Sequence, residues 1–238
     1  MGRKKLLVIG AHSADFVWRA AGTIALVTSQ GGSGTVIALS YGERGESGEL
    51  WKEPGQTIEN VKRIRHEQAS AAAAILGAEF QCLDLGDYPI NITDEVMTQL
   101  ADLFRGMEPN IVLTHTPVDP FNPDHPITCQ AVQKARLLAS GAGVASAFKN
   151  ITPPDLYFFE PHQPELCDFK PNTFVDITSV MELKRQAMGV MQAQSYLQNY
   201  YAELASRRGN HARRISGMEE VKFAEAFHRT LPWVVKSL

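Results

Sequence analysis

Apolar runs of strand length alternate along the chain with longer stretches of helical period, the pattern of a parallel sheet covered by helices. The runs KLLVIGA (5–11), TVIALS (35–40), EFQCLDL (79–85), NIVLTH (110–115), DLYFFE (155–160) and TFVDIT (173–178) predict six strands. Helices are expected over 16–30, 57–76, 93–107, from near His125 to Ser140, and over 179–205. The second is alanine-rich and closed by Gly77, and the third is opened by the capping-box-like TDEV. The expectation is an α/β chain with a Rossmann-like three-layer fold, a mostly parallel central sheet and helices on both faces. One domain is expected over 1–238, with the polar, basic and then amphipathic segment of about 206–238 folding back on it.

Composition narrows the function classes. At 238 residues and 44% apolar content the chain can bury a full core. A formal charge of -3 argues against nucleic acid or a membrane surface as partner, since both need concentrated cationic surface. No stretch reaches the roughly 18 apolar residues of a membrane span. The start MGRKKL lacks the Ser or Thr of a myristoylation signal, and the apolar run after it is broken too early for a signal peptide. A cytoplasmic protein is expected. Cys82, Cys129 and Cys167 are odd in number and far apart, as expected of free thiols. The aromatic cluster YLQNYYAEL (196–204) and Met181, Met188 and Met191 at helical spacing suit core or oligomer contacts, and a homo-oligomer is expected. GGSG (31–34) precedes a strand and reads as a turn, with no phosphate cradle.

In open α/β sheets, ligands bind outside the carboxyl ends of the strands. Those ends carry AHSAD, SYGERGES, THTPVDPFNPDH and EPHQ. They direct His12, Asp15, Glu43, Glu46, His115, Asp119, Asp124, His125 and His162 towards one edge. The second opens the long loop 40–56, and long loops in compact domains are commonly functional. Catalytic zinc takes three protein ligands from His, Asp and Glu and keeps one position open, and His12, Asp15 and His125 would supply that set. Spacing leaves an alternative: Asp15 caps the helix that follows and His12 is a hydrogen-bonded loop residue.

The motifs LLVIGAHSAD, GERGES, RIRHEQASAAAAILGAE, NIVLTHTP, NPDHPIT and KFAEAFHR together resemble the LmbE-like (PIG-L) superfamily of zinc-dependent N-acetyl-sugar deacetylases, over most of the chain. The resemblance implies one divalent metal, expected to be zinc, held by His12, Asp15 and His125. That family's first motif reads Ala-His-Pro-Asp-Asp, with the first Asp as general base. Here Ala14 stands at the base position, Ser13 replaces the Pro, and Asn122 replaces the first His of the later His-Pro-Asp-His motif. Alanine cannot accept a proton, and general acid–base catalysis is worth about 10²–10⁴-fold. AHSADFVWRA, GERGESGELW and RGNHARRISG resemble more closely the superfamily's 4-oxalomesaconate hydratase branch of gallate and protocatechuate breakdown. That implies a metal-dependent hydro-lyase adding water to a conjugated double bond. Zinc-dependent deacetylation and a non-catalytic metal-binding role stand as alternatives.

Hydration needs a base, an electrophile and an acid. Glu46 is the candidate base with Glu43 as competitor, and either could instead be a solvated loop charge. His162 or His115 is the candidate acid, each equally able to be structural. A small-molecule polycarboxylate calls for arginines. Arg19, Arg44, Arg63 and Arg65 are candidates near the site, and Arg213 and Arg214 could close over it from a neighbouring subunit.

Overall fold

The computed structural model describes residues 3–234. Met1 and Gly2, on which the reading of MGRKKL partly rests, and the last four positions of the C-terminal segment lie outside them. Strand β1 (Lys5–Gly10) explains the layering by its alternation: Leu6 and Val8 enter one hydrophobic core, Leu7 and Ile9 the other. Because both faces are buried, the strand reads as a continuous apolar run.

The other strands are β2 (Ser33–Ala38), β3 (Glu79–Cys82), β4 (Ile111–Thr114), β5 (Asp155–Phe159), β6 (Thr173–Asp176) and β7 (Ala224–Arg229). They form one sheet in the order β3-β2-β1-β4-β5-β7-β6. The pairings from β3 through to β5 are parallel, and β7 pairs antiparallel with both β5 and β6. Helices α1 (Asp15–Ser29), α2 (Ile58–Ile75), α5 (Met181–Gly189) and α6 (Gln198–Ser216) pack on the Leu6/Val8 face. Helices α3 (Asp94–Met107) and α4 (Asp124–Ser140) cover the Leu7/Ile9 face. The fold is the expected three-layer α/β arrangement.

One expectation is corrected. The helix expected over 179–205 is two: α5 ends at Gly189, and 3-10 geometry over Gln192–Leu197, non-helical at Gln194, turns the chain before α6. Its apolar period continues across the break, which hides it. Beyond residue 206 the chain completes α6 at Ser216 and then inserts β7 between β5 and β6. Strand β7 escaped prediction because Glu225 occupies a buried position where an apolar residue would signal a strand. Among the described residues, no helix is long and apolar enough to cross a membrane.

Candidate active site

Between β1 and β4 the strand order reverses direction, leaving a crevice at their carboxyl ends. His12 follows β1 there and His115 follows β4. Asp15 is the first residue of α1, yet its Oδ2 accepts from the His12 amide at 2.7 Å, and no side-chain cap bond closes the helix start. The carboxylate therefore turns back towards the strand end. Oδ1 accepts from Arg19 Nη1 at 2.7 Å, and Oδ2 lies 3.0 Å from His115 Nε2. Burial works against the charge, but His115 and Arg19 hold Asp15 well below the usual carboxylate range.

Each of the two other candidate ligands has one ring nitrogen engaged. His12 Nε2 faces Asp124 Oδ2 at 3.3 Å, and Asp124 is itself fixed by the amides of Tyr88 and Ile90 at 2.9 and 2.8 Å. His125 Nδ1 faces Asp119 Oδ2 at 2.7 Å. A carboxylate only accepts, so those nitrogens carry the hydrogens and His12 Nδ1 and His125 Nε2 are bare. Both bare nitrogens are buried without a hydrogen-bond partner. Each lies 3.7 Å from the Asp15 carboxylate, and one ligand atom from each residue lies within 4.8 Å of the others. Burial and the neighbouring His115 push His125 down to about 3, so its ring is neutral at working pH. Two bare imidazole nitrogens, one ionised carboxylate and carboxylates behind both rings fit a divalent metal ion.

A cavity of about 240 Å³ opens over this group, lined by Arg19, Glu46, Asn122, His125, His162 and Gln194 among others. Glu46 reaches it from loop 40–56. Gly42 turns that loop with φ 71°, and a Cβ there would stand 3.1 Å from the His12 Cβ, so the residue needs both the conformation and the space. Glu46 Oε1 lies 3.9 Å from His12 Nδ1. His162 lines the far wall, its ring 4.2 Å from that of Tyr200.

The remaining candidates sit elsewhere. His115 is buried behind His125, rings stacked at 3.9 Å, and does not line the cavity. Glu43 is fully buried beside the Lys62 ammonium, 3.8 Å away. Arg44 is tied to the Asp87 carbonyl at 2.5 Å. Arg63 is exposed and paired with Glu67, and Arg213 and Arg214 lie in the last turn of α6. Arg65 is fully buried, donating to Tyr41 O and Gln194 Oε1. Of the six arginines, Arg19 alone lines the cavity. Sequence reading missed Gln194, which comes from the unpredicted break between α5 and α6. Its one signal is the polar QAQ that follows the apolar stretch around Met188 and Met191.

The profile of the PIG-L family, described as GlcNAc-PI de-N-acetylase, matches residues 7–136, which carry all three of these candidate ligands. The chain belongs to the PIG-L family. It is 44% identical over 99% of its length to a 4-oxalmesaconate hydratase of Pseudomonas putida, covering 93% of that protein. It is 32% identical to the diacetylchitobiose deacetylase of Thermococcus kodakarensis, over 80% of this chain and 70% of that one. The crystal structure of GalB, the 4-carboxy-2-hydroxymuconate hydratase of Pseudomonas putida KT2440, superposes with a TM-score of 0.95 at 44% identity, covering 99% of both chains. Against the PIG-L motif, position 14 remains the departure that matters: Ala14 is buried in the core and offers the cavity nothing.

Proposed function

We propose that this chain is a metal-dependent hydratase that adds water to the conjugated double bond of 4-oxalomesaconate, with Glu46 as base. The observation that carries this reading is the position of Glu46. With Ala14 at the family's base position, the Glu46 carboxylate lines the cavity 3.9 Å from His12 Nδ1. The other acids around the candidate metal group face histidine or arginine side chains, Asp119 with His125, Asp124 with His12, Asp15 with Arg19 and His115, whereas Glu46 is held by the neutral amides of Asn122 and Gln194. The full-length likeness to the Pseudomonas putida hydratase supports the same reaction class.

His12, Asp15 and His125 would hold the ion, which we take to be zinc. Bound there, it would supply an electrophile that draws charge from the substrate's carboxylate and ketone oxygens. Glu46 takes the proton from water as the hydroxyl adds to one alkene carbon, and His162 gives a proton to the other. Burial and the nearby Arg19 lower the affinity of His162 for its proton before substrate binds, and the negative charge of a bound polycarboxylate acts in the opposite direction, favouring the protonated ring. Arg19 lines the cavity and offers its positive charge to one substrate carboxylate while its Nη1 holds Asp15. The remaining carboxylates of a polycarboxylate need cations beyond Arg19, and a neighbouring subunit of a homo-oligomer is where we place them.

The rival is N-acetyl-sugar deacetylation, favoured by the 32% identity to the Thermococcus enzyme. Purified, metal-loaded protein given 4-oxalomesaconate should bleach its conjugated absorbance, and N-acetylglucosamine derivatives should release no acetate. Acetate release without bleaching overturns the proposal, and silence with both points to a metal-binding role alone. Glu46→Gln should keep its metal and lose about 10²–10⁴-fold in turnover.

A further inference from the structure

A glutamate on a glycine-rich loop has three side-chain torsions to lose before it can serve as a base in one geometry, and this structure supplies the restraint. We propose that Gln194 and Asn122 form a paired amide clamp that positions Glu46, with Arg65 setting the orientation of Gln194 from behind; this rests on the reading of Glu46 as the base. Asn122 Nδ2 donates to Glu46 Oε1 at 2.7 Å, and Gln194 Nε2 donates to Glu46 Oε2 at 2.7 Å. Each carboxylate oxygen thus has one lone-pair site occupied by a neutral donor and keeps another for water.

A side-chain amide can flip its oxygen and nitrogen, and only its partners decide which faces the carboxylate. Both amides here are decided. Gln194 Oε1 is 3.1 Å from Arg65 Nη1 and 3.4 Å from Trp18 Nε1, and both of these groups can only donate. The oxygen must therefore face them, and the NH₂ must face Glu46. Asn122 Oδ1 accepts from the Asp124 amide at 3.1 Å, which fixes the second amide the same way. Gln194 and Arg65 are buried at 2% and 0% exposure, so water does not compete for these bonds. The arms come from opposite sides of the cavity, Asn122 ahead of α4 and Gln194 between α5 and α6. Together they confine Glu46 along two directions. Neither amide titrates, so the clamp holds across the pH range in which the enzyme works. Gln194 and Asn122 are positioning residues: they act on the reaction through Glu46.

The test is a mutant cycle on metal-loaded protein with 4-oxalomesaconate as substrate. Gln194→Met keeps the length and removes the donor. It also takes the acceptor from the buried Arg65, so Tm should fall, while kcat drops about 10- to 100-fold, the cost of a base displaced by about an ångström, with KM and metal content close to wild type. In a Glu46→Gln background the same substitution should cost less than about twofold, because residues that act as a unit are not additive. Asn122→Ser keeps an acceptor for the Asp124 amide, adds no charge beside Glu46 and removes the amide donor, and should reproduce the kcat loss if Gln194→Met fails to fold. Wild-type kcat in either folded variant, a loss carried by KM, or a double variant reduced by the full product overturns the clamp. If Glu46→Gln is itself fully active, the reading of the base fails and the clamp with it. If Glu46→Gln is inactive and Gln194→Met is not, the clamp alone fails.

Discussion

His12 and His125 each give one ring nitrogen to a carboxylate, and in the neutral ring the other is bare, but the two differ in how readily that second nitrogen takes up a proton. Burial pushes His12 down, yet the Asp124 hydrogen bond and the charges of Asp15, Glu46 and Asp124 outweigh it and leave the ring above its usual 6.5. His125, at about 3, has no proton to lose near neutral pH, and Asp15 is ionised throughout. Metal binding must therefore displace one imidazole proton, that of His12. Zinc affinity should rise about tenfold per pH unit below the His12 titration and level off above it. Chelator-competition titrations followed upward in pH from below the ordinary imidazole range give the slope; a slope near two, or none, contradicts this assignment. At this scale the candidate ligands were legible because each follows a strand end within a recognisable motif. The choice between cap and ligand for Asp15 was not, since it depends on the direction of one side chain. Spacing equally could not tell Glu46 from Glu43, three residues apart on one loop, of which one lines the cavity and the other is buried beside Lys62.

The loop over 40–56 carries Glu46 without helix or strand to stiffen its first half. Its rigidity comes from outside. The Asp87 carboxylate accepts from the amides of Arg44 at 2.9 Å and Gly45 at 2.7 Å, and Trp51 Nε1 donates to Glu43 O at 2.6 Å. Asp87 is fully buried, so its loss leaves two amides to find new partners. Asp87→Ala should cost about 10-fold or more in kcat while metal content stays at wild type, and should speed tryptic cleavage after Arg44. Cleavage and kcat at wild-type values would show that the loop holds itself. The sequence marked this loop as functional by its length and glycines, but not what anchors it. The run EFQCLDL predicts a strand through residue 85, whereas β3 ends at Cys82 and the chain then turns through Asp84 and Gly86 at positive φ to deliver Asp87. Propensity sees the apolar alternation and cannot see that β2 ends at Ala38, so that Leu83 and Leu85 keep only single amide bonds to the Ala38 and Leu39 carbonyls as the chain turns away.

Across the whole molecule, the strands β3-β2-β1-β4-β5 are all parallel and successive ones are joined through helices, which is why the three-layer fold could be read from the alternation of strand-length and helix-length runs. The antiparallel closure by β7 could not, because what joins it to the rest is polar. Glu225 of β7 accepts from the amides of Gly22 and Thr23 in α1 at 2.9 and 2.8 Å, from Thr23 Oγ1 at 2.7 Å, and from Lys184 of α5 at 2.6 Å. Lys184 Nζ also donates to Trp18 O at 2.8 Å, in the helix that carries Asp15 and Arg19. Gly22 lets α1 approach closely here, for a Cβ at this position would stand 2.7 Å from Ile177. One buried ion pair thus ties β7 to two helices and, through α1, to the candidate metal ligand Asp15. Lys184 and Glu225 side chains are 2% and 4% exposed, so removing one partner strands the other charge out of water. Glu225→Ala should cost about 3–5 kcal/mol, the usual penalty for breaking a buried pair, and lower Tm by about 10 °C in a chain of this size. The double variant Lys184→Met/Glu225→Gln removes both charges, keeps an amide oxygen for the α1 donors, and should recover part of that loss. A double variant as unstable as Glu225→Ala would mean that the attraction within the ion pair itself, and not the stranding of Lys184 or the hydrogen bonds to α1, carries the energy that joins β7 to the fold.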